Sequence, residues 1–109
     1  MAITRVVQLQ FQPGVDASVI EDLSSQIVGL KSKCLSLETK EPYIESIEGG
    51  PEISLEGLQN GITHAFVIKF KNQSDRDYYA LTDPAHQAVI QALQPSLEKV
   101  QIIDLATSR

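Results

Sequence analysis

Ile62-Thr-His-Ala-Phe-Val-Ile-Lys-Phe70 alternates in polarity along its whole length. Ile62, His64, Phe66, Ile68 and Phe70 share one side, and Thr63, Ala65, Val67 and Lys69 the other. That is the period of a strand with one strongly apolar face. The same period recurs in residues 3–11, where Ile3, Arg5, Val7, Leu9 and Phe11 oppose Thr4, Val6, Gln8 and Gln10. Pro13-Gly14 then breaks the pattern as a turn.

Between these strands, Asp16 or Ser18 predicts a helix start, with Ser18-Val-Ile-Glu21 at capping-box spacing. Val19, Ile20, Leu23, Ile27 and Leu30 form its apolar stripe, and Gly29 with Lys31-Ser-Lys33 predicts its end. Tyr43, Ile44 and Ile47 mark a short second strand, closed by Gly49-Gly50-Pro51. The polar stretch from there to Asn60-Gly61 is expected to be a loop, with one helical turn around Leu55 and Leu58. Loops of that length in compact domains serve as lids or interface arms.

Beyond Phe70, Ser74-Asp-Arg-Asp77 repeats the capping pattern and opens a second helical region. Asp83-Pro84 restarts it, with Asp as N-cap and Pro at the first helical position. Ala85, Val89, Ala92 and Leu93 face inward until Pro95. Residues 99–105 make a last strand, and residues 106–109 a tail. The order is β-α-β-β-α-β, the split pattern of an α+β ferredoxin-like fold, in a single domain over residues 1–109.

Two helices cover only one face of a four-stranded sheet. The other face carries Val6, Ala65 and Val67 among polar residues, a mixture suited to packing on a second sheet. A chain of 109 residues buries only roughly 60–70% of the surface its unfolded form exposes, so pairing would add stability. These features predict a homodimer.

Composition narrows the partners. The net charge is −5 and no stretch clusters Lys and Arg, so nucleic acid and anionic membranes are not expected to bind. Nothing approaches the apolar run of about 20 residues that a membrane-spanning helix needs. The amino terminus also lacks a signal-peptide pattern. One cysteine, Cys34, allows no intramolecular disulfide and suits a reducing, cytoplasmic location. It follows Lys31 and Lys33, which would lower its pKa if it were exposed; the plainer role is a small residue filling space after the helix.

Three polar residues stand where apolar ones are expected. Arg5 and His64 interrupt the helix-facing sides of the first and third strands. If those strands are neighbours, the two residues meet beneath the helices. Such groups need partners, which water or an anionic ligand in a pocket would supply; alternatively both are structural. His86 falls at the third helical position after Asp83, where the helix dipole disfavours imidazolium, so a neutral base is expected there. Its plainer role is as a cap. Tyr78 and Tyr79 lie about two turns earlier. No phosphate loop, nucleophile elbow or metal-spaced cluster is present, so neither a metal nor a cofactor is expected.

Gly61-Ile-Thr-His64-Ala-Phe-Val-Ile-Lys-Phe70, Asp75-Arg-Asp-Tyr-Tyr79 and Asp83-Pro-Ala-His86 together closely resemble the stress-responsive α/β-barrel (Dabb) family. Phe11-Gln-Pro-Gly14 and Val100-Gln-Ile-Ile-Asp-Leu105 extend the resemblance over nearly the whole chain. The resemblance implies a dimeric α/β barrel, in which two sheets close face to face and each sheet forms a cavity with its own helices. It also implies a stress-response role, most members having no assigned reaction. A plant branch includes a polyketide cyclase that performs an aldol cyclisation with the Pro-x-His histidine and a nearby tyrosine. By that resemblance His86 would be the general base of a lyase, aided by Tyr78 or Tyr79. There are two departures. Arg5 replaces a histidine found in most members, and Ala80 occupies the cyclase tyrosine's place.

The leading expectation is therefore a pocket for a small apolar or aromatic ligand, lined by Arg5, Val7, Leu9, His64 and Phe66. A cyclase-like lyase and a structural, stress-protective oligomer are the alternatives.

Overall fold

Four strands, three α-helices and a short 3-10 turn at Gln94–Ser96 make up the computed structural model, which describes residues 1–107. The strands and α-helices are β1 (Ala2–Phe11), α1 (Ala17–Lys33), β2 (Ile44–Pro51), β3 (His64–Phe70), α2 (Gln73–Leu81), α3 (Pro84–Leu93) and β4 (Leu97–Thr107). The strands form one antiparallel sheet in the order β2-β3-β1-β4. This is the ferredoxin-like α+β arrangement that the alternating strands predict.

The helix-facing side of the sheet carries the core. Ile3, Leu9 and Phe11 of β1 and Phe66, Ile68 and Phe70 of β3 are buried together with Leu23, Ile27 and Leu30 of α1, Tyr79 of α2, and Val89 and Leu93 of α3. Each such side chain contributes about 1.5–3 kcal/mol by leaving water. No helix among the described residues covers the opposite side. There Val67, Val6 and Ile103 are cross-strand partners in one row, and Ile103 remains 43% exposed.

Several local expectations change. α1 begins at Ala17, Asp16 makes no side-chain cap bond, and Ser18 lies inside the first turn. The helix passes through Gly29 and ends at Lys33, within the expected Lys31-Ser-Lys33 run, where Cys34 donates its N–H to Leu30 O at 2.9 Å. Val19 is 41% exposed and stands outside the apolar stripe. α2 starts at Gln73, because Asn72 rather than Ser74 provides the cap by accepting from the Asp75 N–H at 2.8 Å.

β2 includes Gly49-Gly50-Pro51 and ends with them, at Pro51. A Cβ at Gly49 would sit 2.3 Å from the Ala65 carbonyl oxygen, so glycine lets this edge strand press against β3. No helical turn forms around Leu55 and Leu58, and both are strongly exposed. β4 absorbs Ala106 and Thr107 of the expected tail; Ser108 and Arg109 lie outside the described residues. Among the described residues no helix is long and apolar enough to cross a membrane.

Candidate functional site

The β1–β3 register decides which polar residues can meet. Leu9 is opposite His64, and Arg5 is opposite Ile68. The expected Arg5–His64 contact is therefore absent, because four residues along a strand separate them by about 13 Å. His64 instead holds Thr63 Oγ1 at 2.9 Å through Nδ1 and meets the edge of Phe11. With Phe66 it lines an open groove of about 800 Å³ between α1 and the Gly49-Gly50-Pro51 end of β2.

A second cavity, of about 260 Å³, lies between the sheet and its helices. Arg5, Val7 and Leu9 come from β1, Leu30 from α1, and Tyr79, His86 and Leu93 from α2 and α3. Val100 and Ile102 of β4 border it and are about half exposed, at 52% and 49%. Arg5, Val7, Leu9, Tyr79 and His86 thus share one cavity, while His64 and Phe66 face the other. Tyr78 lines neither; its ring meets Tyr43 edge-on at 5.7 Å.

The helix junction positions His86. Asp83 is 2% exposed and caps α3 by accepting from the Ala85 N–H at 2.9 Å. Its other oxygen accepts from the Tyr43 hydroxyl at 2.5 Å. Cys34 packs against the same carboxylate, and burial, followed by the charge of Asp83, pushes its thiol up to about 12. Cys34 thus fills buried space after the helix, the plainer of the two roles expected of it, and its thiol stays protonated.

The His86 ring stacks on Tyr79, centroids 3.8 Å apart, and its Nδ1 lies 2.8 Å from the Tyr79 carbonyl oxygen. Because that oxygen can only accept, Nδ1 carries the proton, and in the neutral ring Nε2 keeps its lone pair. Burial, chiefly, holds the His86 pKa below the ordinary histidine value, with Arg5 lowering it further and the Tyr79 carbonyl opposing. Burial also lowers His64.

The sign of the resulting pH dependence follows directly. The unfolded chain takes up these protons before the folded one, so stability is full above the ordinary value of 6.5. It falls as pH drops from there until the depressed folded values are passed. Imidazole NMR titration should show both midpoints below 6.5, with urea midpoints declining in that window.

Arg5 is the feature whose partner the sequence reading missed. Its Nε and Nη2 donate to the two carboxylate oxygens of Asp104 at 2.9 and 3.1 Å, and Arg76 Nη1 donates to the same carboxylate at 2.7 Å. Burial alone would raise Asp104, but these bonds outweigh it and hold its pKa low. The available signal was the alternation of β4, which places Asp104 on the helix-facing side beside Arg5.

Among the described residues, Arg5 Nη1, the Tyr79 hydroxyl and His86 Nε2 have no hydrogen-bond partner. Every side-chain nitrogen or oxygen that is shut off from solvent does have one. Each of the three therefore opens on space the protein leaves unfilled.

The stress-responsive A/B barrel domain model matches residues 3–107. The chain belongs to this family. A stress-response A/B barrel domain-containing protein of Arabidopsis thaliana, HS1, is 28% identical over 102 residues, covering 94% of this chain and 86% of its own. A crystal structure of an Arabidopsis thaliana protein superimposes with a TM-score of 0.81 at 25% identity, over 98% of this chain and 96% of that one. A dimeric ferredoxin-like protein from Jannaschia sp. CCS1 gives 0.79 at 19% identity, over 98% and 100%. In this A/B barrel chain, Arg5, held by Asp104, joins Tyr79 and His86 as the polar groups of the sheet–helix cavity.

Proposed function

We propose that the protein acts as a homodimer of the stress-response type whose sheet–helix cavity binds a small apolar or aromatic ligand. The observation that carries this reading is a mostly apolar cavity bearing three polar groups with no protein partner, Arg5, Tyr79 and His86. At about 260 Å³ it falls just below the usual range for drug-sized ligands, which suits a molecule built on one ring. The dimeric relative and the helix-free sheet face support the pairing.

A rim substitution tests the binding reading. Ile102 borders the cavity and is 49% exposed, so a larger side chain there obstructs the mouth without crowding the core. Ile102→Trp should weaken binding of para-propylbenzamide by roughly tenfold or more, while the melting temperature changes little. Calorimetric titration reads the result, and undiminished affinity would remove this cavity from the account.

A catalytic reading is favoured by the His86 geometry. The Nδ1–H bond to the Tyr79 carbonyl fixes the ring, and a neutral Nε2 can accept a proton from carbon next to a carbonyl. This supports a lyase or cyclase acting on β-polyketo acids or their thioesters, with His86 as base and Tyr79 beside it. Tyr78 points to the Tyr43 side and would need a local backbone shift to take part. Turnover of a linear polyketide thioester should fall by roughly 10²–10⁴-fold in His86→Ala; unchanged turnover in that variant would contradict the role.

A further inference from the structure

We propose that the sheet–helix cavity selects ligands carrying a carboxylate on their apolar body, with Arg5 as the anion's partner. This inference rests on the reading of the cavity as a binding site and names the chemistry of its polar end. Arg5 is 7% exposed, lines the cavity, and leaves Nη1 without a protein acceptor among the described residues. A guanidinium nitrogen has no acceptor capacity, so only an acceptor can satisfy it.

The guanidinium itself favours an anion over a neutral oxygen. Arg5 and Arg76 both bond to the single carboxylate of Asp104. Arg76 also pairs with Asp77 at 2.9 Å. With Asp77 on Arg76, the two arginines meet two carboxylates, so the unbonded Arg5 Nη1, and not an excess of charge, is what would receive a ligand oxygen. Charge-assisted bonds to a guanidinium are about twice as strong as neutral ones, so a carboxylate gains more there than an amide does. The whole molecule carries −5 and repels anions at long range, so the selection is local to this cluster. Much of the remaining wall, including Val7, Leu9, Leu30 and Leu93, suits an apolar body.

A matched pair of probes tests this: para-propylbenzoate and para-propylbenzamide, titrated calorimetrically into the intact protein at neutral pH. The benzoate should bind roughly tenfold tighter or better. In Arg5→Met that preference should vanish, with benzoate affinity falling roughly tenfold more than benzamide affinity, an outcome that a purely strand-tying role for Arg5 would not produce. Arg5→Lys, which keeps the charge without the fork, should retain only part of it. If Arg5→Met does not fold, the wild-type comparison still decides. Equal affinities in the wild type, or a preference that survives Arg5→Met, overturn the carboxylate assignment and leave the binding site standing. Failure of both probes to bind overturns the binding reading and this inference with it.

Discussion

Asp83→Ala should destabilise the protein by about 2–5 kcal/mol, the largest loss expected from any single truncation outside the apolar core. The carboxylate performs two separable tasks. As the N-cap of α3 it satisfies the Ala85 N–H, a role whose removal costs about 1–2 kcal/mol. It also accepts the Tyr43 hydroxyl, and stripping that partner leaves a part-buried donor unpaired at a cost of about 1–3 kcal/mol. Against a total stability of about 5–15 kcal/mol for a domain, such a loss is severe. Asp83→Asn keeps a cap acceptor and should lose less. Urea denaturation at one fixed protein concentration measures both, since a paired chain has concentration-dependent stability. A loss in Asp83→Ala no greater than in Asp83→Asn would show that Asp83 does not hold this junction together. The functional consequence follows from spacing, because α3 carries His86 three positions after the cap.

Ile103→Asp should convert the proposed dimer to a monomer. Ile103 lies at the end of the Val67–Val6–Ile103 row on the sheet face that no helix covers. At 43% exposure in the single chain, an aspartate there is tolerated by the monomer. In a face-to-face pair it would be buried twice, once from each copy, with no partner for either charge. Uncompensated burial of that kind costs several kcal/mol per ion, so the dissociation constant should rise by roughly 100-fold or more. Sedimentation at micromolar concentration should show monomer for the variant and dimer for the parent chain. An unchanged dimer would mean that the pairing uses another surface.

The fold was legible because its signals are periodic. The alternation of residues 3–11 and 62–70 marks two central strands, and Asp83-Pro84 marks a helix start whatever the surroundings. Boundaries were less legible where tertiary contact overrode local preference. Gly49 looked like a terminator, yet it is required for close approach to β3. Asn72 won the cap of α2 over Ser74 by position alone.

The site was half legible for a related reason. Arg5 and His86 announce themselves as polar residues on apolar faces, and both line the sheet–helix cavity. His64 announces itself equally, but antiparallel register places it opposite Leu9, at the far groove. Residue spacing within one strand carries no information about its offset from the next. The Tyr43–Asp83–Cys34 junction joins positions up to 49 residues apart in the chain, beyond the reach of any local pattern.

The central claim is that ligands enter the cavity shared by Arg5, Tyr79 and His86. Amide chemical-shift mapping during titration with para-propylbenzamide tests it directly. The predicted perturbations centre on Leu30, Tyr79, His86, Val89 and Leu93. Perturbations confined to Ala17, Ser24, Val28, Gly49 and Gly50 would place binding in the α1–β2 groove and contradict the account.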